Sequence, residues 1–109
     1  MSQFDVHRNT GRNSAMIPFV VIVQSAAFDD RRRRIVVPLV ATAKTQGHIK
    51  FPSAVVTPTF TIAGIKVILN PLEMTSIAID ALGEQVGSLA EKGDVIVAAL
   101  DDIFSRAWG

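Results

Sequence analysis

Residues 16–25, MIPFVVIVQS, decide the fold class. The run is rich in β-branched and aromatic side chains, which suit a pleated surface, and it is too short for an ordinary buried helix. Residues 17–24 therefore read as a central strand. Upstream, Phe4 and Val6 alternate with polar neighbours, the pattern of a half-buried strand, and NTGRN at 9–13 supplies the Gly and Asn that tight turns use. That predicts a strand and a hairpin turn leading into the central strand. Downstream, beyond the charged segment DDRRRR at 29–34, Ile35 to Val40 reads as a third strand. Pro38 within it predicts a sheet edge or a bulge, because proline has no amide hydrogen to give to a ladder.

Residues 41–53, ATAKTQGHIKFPS, show no period and contain Gly47 and Pro52, so they read as a long connection. AVVTPTFTI (54–62) and IKVILN (65–70) flank Ala63-Gly64 and predict a second hairpin, which Asn70-Pro71 ends. Ile77 and Ile79 alternate with small or polar neighbours, predicting a short strand over Thr75 to Ala81. After Gly87 the period changes. Ser88 followed by Glu91 has the spacing of a capping box, and Ile96, Leu100, Ile103, Phe104 and Ala107 recur at helical spacing. One helix over residues 89–107 follows, with Asp94 as the alternative start because Gly93 costs about 1 kcal/mol in a helix interior.

The 109 residues predict a single domain spanning 1–109. With 49% hydrophobic and 19% charged residues, the chain has enough apolar content for a folded core and some to hide in a partner. Eleven basic against ten acidic residues leave a net charge of +1, so no direct nucleic-acid binding is expected from the whole-molecule field. The absence of cysteine removes disulfides, thiolate catalysis and sulfur-based zinc sites. No apolar run reaches the length of a membrane span, and the first twelve residues lack the apolar stretch of a signal peptide, which predicts a cytoplasmic protein with no membrane association.

Catalytic motifs are missing: there is no HExxH, GxSxG, phosphate loop or dinucleotide fingerprint. His7 and His48 are the only side chains whose ordinary titration falls near neutrality, and each reads as a solvated surface residue outside any motif. The expectation is a protein that is not an enzyme and carries no cofactor, metal or catalytic residue. Arg31 to Arg34 could grip phosphate, but two aspartates precede the run and no aromatic interleaves it, so it reads as a solvated loop with a salt-bridged arginine or two. Trp108, the only tryptophan, stands one residue from the end of the sequence. It either folds back on the core or closes a dimer, or with Phe104 it anchors a partner protein.

Taken in order, several segments resemble the CcdB family of bacterial toxins. These are Gln3-Phe4-x-Val6, residues 19–25 (FVVIVQS), residues 33–39 (RRIVVPL), residues 83–86 (GEQV) and the final Trp108-Gly109. The resemblance implies a mainly β fold, an SH3-like barrel of antiparallel strands with a C-terminal α-helix, forming a two-fold homodimer. It also implies a toxin that binds the A subunit of DNA gyrase, traps its cleaved DNA complex and is neutralised by a cognate antitoxin. By position, Trp108 and Gly109 would be the wedge entering gyrase. Asp101 and Phe104 would support it, and Ala27 and Phe28 would add apolar contact. Two other functions stay open on the same scaffold: an endoribonuclease like the MazF and Kid toxins, using Arg31 to Arg34 with His7 or His48, or a non-toxic relative that only binds antitoxin.

Overall fold

The computed structural model describes residues 2–25, 27, 32–44 and 57–105. Seven antiparallel strands form one curled, half-barrel sheet: β1 (Asp5–Arg8), β2 (Phe19–Ile22), β3 (Arg33–Ala41), β4 (Thr59–Ile62), β5 (Ile65–Leu69), β6 (Thr75–Ala78) and β7 (Gln85–Ser88). Helix α1 (Gly93–Ser105) follows at the C-terminal side. The spatial order is β4-β5-β3-β2-β1-β7, with β6 also paired to β3. No helix among the described residues is long and apolar enough to cross a membrane.

The unbroken apolar run of β2 reflects burial on both faces. Phe19 and Val21 join the main core with Val6, Val37, Leu39, Leu69, Ile96 and Ala99. Val20 and Ile22 turn to the other face and meet Val36, Ile77 and Leu82. β2 lies between β1 and β3, the central position expected of it.

Pro38 corrects the expectation of an edge or bulge. It sits inside the longest strand, opposite Val20. Its carbonyl accepts the Asn70 amide at 3.0 Å, so its backbone polar atoms face away from β2. On that side β3 exchanges one partner for another: β6 pairs with Arg33 to Val36, and β5 pairs with Leu39 to Ala41. The missing amide hydrogen thus falls at the break between two neighbours, where no ladder bond is lost.

Ala63 and Gly64 turn the β4–β5 hairpin as expected, both with positive φ (50° and 80°), the signature of a two-residue primed turn. The expected strand over Thr75 to Ala81 is shorter. It ends at Ala78, and Ile79–Ala81 form a 3-10 turn, because β3 begins at Arg33 and supplies only the Arg32 carbonyl to Ile79 beyond it. The Asn9 to Asn13 turn is wider than a tight hairpin, since β1 and β2 first pair at Arg8 and Phe19. Asn9 organises it, accepting from the Gly11 amide at 3.0 Å and donating to the Ile17 carbonyl at 2.8 Å.

The N-terminal strand starts one residue later than its alternation predicts. Phe4 has φ 71° and lies before β1, held by its amide to Ile22 and by its carbonyl, which accepts from Leu89. β7 is a strand that the sequence reading lacked. It pairs with β1 across a bulge between Val6 and His7, and the residues before it are pinned to β1. Gly83 donates to the Arg8 carbonyl, Arg8 donates to the Glu84 carbonyl, and the two side chains form an ion pair at 2.8 Å. A Cβ on Gly83 would sit 2.7 Å from the Arg8 carbonyl oxygen, which is why glycine fits here. Ser88 belongs to β7 and its Oγ accepts from the Ala90 amide, so the expected capping box is not formed. A 3-10 turn over Ala90–Lys92 leads into the helix, whose start at Gly93 is close to the alternative boundary.

Candidate partner-binding face of the C-terminal helix

α1 is held against the sheet by Ile96 and Ala99, both fully buried, with Leu100 packed beside them. Phe104, expected on this apolar face, is instead 61% exposed. Eight residues beyond Ile96 at about 100° each leave it about 80° off the buried direction, outside the reach of the sheet. Val97 is 42% exposed on the same outward side, and Asp101 is exposed as well. Apolar side chains pointing outward from a helix already anchored on its other face have no role in the core. Their exposure makes this side of α1 a candidate docking surface.

The other residues expected at the site fall apart into two groups. Ala27 is exposed on the β2–β3 connection, its amide donating to Ser25 Oγ at 3.2 Å. Phe28, Trp108 and Gly109 lie outside the described residues, as do Arg31 and His48. Phe104, Asp101 and Ala27 are therefore the members of the expected set that the structure places.

Arg33 and Arg34 correct the expectation of a solvated loop. β3 begins inside the arginine run and splits its members by strand alternation. Arg33 lies flat on β6, Nε donating to Ser76 Oγ at 2.8 Å and Nη2 to the Ser76 carbonyl at 2.6 Å. Arg34 points to the opposite face and is only 2% exposed, with Nη1 donating to the Arg33 carbonyl. Arg32 is exposed and borders, with Arg33, Ala78, Ile79 and Asp80, a shallow pocket. Among the described residues, Arg32 to Arg34 therefore do not form a continuous phosphate-binding patch.

His7 corrects the expectation of a surface histidine. It is 4% exposed on β1, with Nδ1 2.9 Å from the Gly83 carbonyl. A carbonyl only accepts, so Nδ1 carries the hydrogen, and Nε2 is buried without a hydrogen-bond partner among the described residues. A general base must reach the proton it removes, and a side chain sealed beneath the sheet cannot reach RNA. That observation weighs against an endoribonuclease built on His7. No group of metal-ligating side chains occurs among the described residues.

Comparison with known proteins agrees with this architecture. The family model described as CcdB protein matches residues 3–105. No curated protein gives a match. The matched span takes in all seven described strands and α1 to its last residue, and so the chain belongs to the CcdB family.

Proposed function

We propose that the protein is the toxin of a type II toxin–antitoxin pair and that it binds the A subunit of DNA gyrase, trapping the cleaved DNA complex through the C-terminal end of α1. Family membership supports the toxin role and an antitoxin partner. The observation that carries the gyrase reading is the outward exposure of Phe104 on a helix whose opposite face is fully engaged. Trp108 and Gly109 extend the chain beyond that residue as the wedge, and Ala27 and Phe28 add apolar contact beside it.

The mechanism needs no chemistry from the protein. Binding the open, DNA-cleaved state of gyrase more tightly than the closed state shifts the bound population to the cleaved complex. Aromatic side chains suit this task because they present a large apolar area with few rotatable bonds to freeze. The protein acts in the cytoplasm as a homodimer. Exposed apolar side chains such as Ile35 and Leu72 provide surface for self-association.

The test is a supercoiling assay with purified gyrase and plasmid DNA, quenched with detergent to release any trapped break. Linear DNA is expected with the unaltered protein, and its loss with Trp108→Ala or Phe104→Ala. Unimpaired supercoiling with no linear product would refute the proposal.

A further inference from the structure

A pocket of about 550 Å³ opens where β3 begins and β6 ends, lined among the described residues by Arg32, Arg33, Ala78, Ile79 and Asp80. None of these belongs to α1, so the pocket is separate from the helix face described above. Its volume falls in the range of about 300–1,000 Å³ usual for small-molecule sites. The fold fixes its walls. Arg33 pairs with Ala78 in the β3–β6 ladder, and the Ile79 amide donates to the Arg32 carbonyl at 2.9 Å. The 3-10 turn Ile79–Ala81 is tied at its other end, where Thr10 Oγ1 donates to the Ala81 carbonyl at 2.8 Å. Asp80 is thus presented from a turn anchored on both sides.

The charged groups of this pocket are held in place without being used by one another. Two bonds to Ser76, from Nε to Oγ and from Nη2 to the carbonyl, fix the Arg33 guanidinium and leave Nη1 without a partner among the described residues. Arg32 and Asp80 are exposed, opposite in sign and on one pocket. Yet neither side chain makes an ion pair or a hydrogen bond among the described residues. Two guanidiniums against one carboxylate leave the pocket cationic. Beside them, half-buried Ala78 and Ile79 supply an apolar wall.

We propose that this pocket binds a nucleoside monophosphate. Each part of that ligand has a counterpart on the page of the pocket's own chemistry. Guanidinium groups match phosphate oxygens, and Arg32 with Nη1 of Arg33 takes the phosphate. A carboxylate only accepts hydrogen bonds, so Asp80 takes the ribose hydroxyls as donors. The face of the base covers Ala78 and Ile79. Inorganic phosphate alone leaves the apolar wall wet and sets Asp80 against a like charge, and a sugar phosphate still leaves the wall uncovered. The proposal is independent of the gyrase reading, because the ligand links the start of β3 to the turn after β6 whatever α1 binds.

Adenosine monophosphate is the probe, titrated into the isotope-labelled full-length protein while amide resonances are followed, for the unaltered chain, Arg32→Gln and Asp80→Ala. Thermal melts would confirm that each variant folds. The probe should shift the amides of Arg32, Arg33, Ala78, Ile79 and Asp80 with a dissociation constant on the order of 0.1 mM, weakening as salt rises. Arg32→Gln should weaken binding about tenfold through the lost charge-assisted bond. Asp80→Ala should weaken the probe about fivefold and leave its dideoxy analogue bound no more weakly, a contrast that a general loss of structure would not produce. If these amides do not move at a probe concentration about fifty times that constant, the proposal is overturned. It also falls if both variants bind like the unaltered chain, or if inorganic phosphate binds as tightly as the probe and the pocket is an anion site only. Binding of a short oligoadenylate about tenfold more tightly than the probe would assign the surface to a polynucleotide and overturn it as well.

Discussion

Replacing Gly93 with alanine sets two physical effects against each other. In a helix interior alanine is favoured over glycine by about 1 kcal/mol, because it has less backbone freedom to lose, and at the first residue of α1 that gain is an upper bound. Here the added Cβ would lie 2.5 Å from Phe4 Cε2 and 2.9 Å from Cδ2, well inside the contact distance of about 3.5–4.0 Å. Phe4 cannot readily relieve this contact by a backbone shift. Its backbone already sits at φ 71° and is tied at both ends, by its amide to Ile22 and by its carbonyl to Leu89. Overpacking of this kind costs about 1–3 kcal/mol, so Gly93→Ala should be net destabilising by about 1 kcal/mol, or about 4–8 °C in Tm for a domain near this size. Urea denaturation of the unaltered protein, Gly93→Ala, Phe4→Ala and the double variant closes a mutant cycle. Alanine at 93 should destabilise in the presence of Phe4 and stabilise in its absence, a coupling of about 2 kcal/mol. A Gly93→Ala protein as stable as the unaltered one would show that helix propensity wins and that the Phe4 contact does not constrain this position.

Gly83→Ala should be more damaging than Gly93→Ala, on the order of 2 kcal/mol or more, because the obstacle is the Arg8 backbone and not a side chain; equal urea midpoints for the two variants would contradict this. Ala63→Gly should raise stability by about 1 kcal/mol by relieving a positive φ at the β4–β5 turn, which an unchanged or lower denaturation midpoint would disprove. Asp101→Asn should stabilise the free protein by about 0.3–1 kcal/mol at low ionic strength, with the gain vanishing at high salt in thermal melts.

The parts of the fold legible in the sequence are those whose signal is local. β2 and β3 appear as β-branched runs, Ala63-Gly64 as a turn between two of them, and α1 as a change of period after Gly87. Family resemblance then rested on segments scattered through the whole chain, and the match over residues 3–105 bears it out. β7 carries no such signal. Residues 85–88, QVGS, form a strand only because β1 offers an edge, and Gly83 lets the chain approach it. Pro38 reads locally as a breaker and is harmless in the middle of the sheet, because two different strands meet opposite it.

The candidate site divides the same way. The helical period identified an apolar stripe that included Phe104, but which part of that stripe is covered depends on how far the sheet extends beneath α1, and it covers Ile96 and Ala99 while leaving Val97 and Phe104 outside. His7 looked like a solvated residue because it stands alone, next to a turn and outside any motif, yet its burial is decided by β2 and β7 on either side. Arg31 to Arg34 read as one charged run, and strand alternation sends Arg33 and Arg34 to opposite faces of β3. Composition and periodicity are properties of neighbours along the chain, so the sequence by itself determined the types of the strongly patterned elements, β7 excepted, and the absence of familiar catalytic motifs. Pairing and burial belong to residues brought together from far apart, and only the tertiary structure decided which charges and aromatic rings face outward.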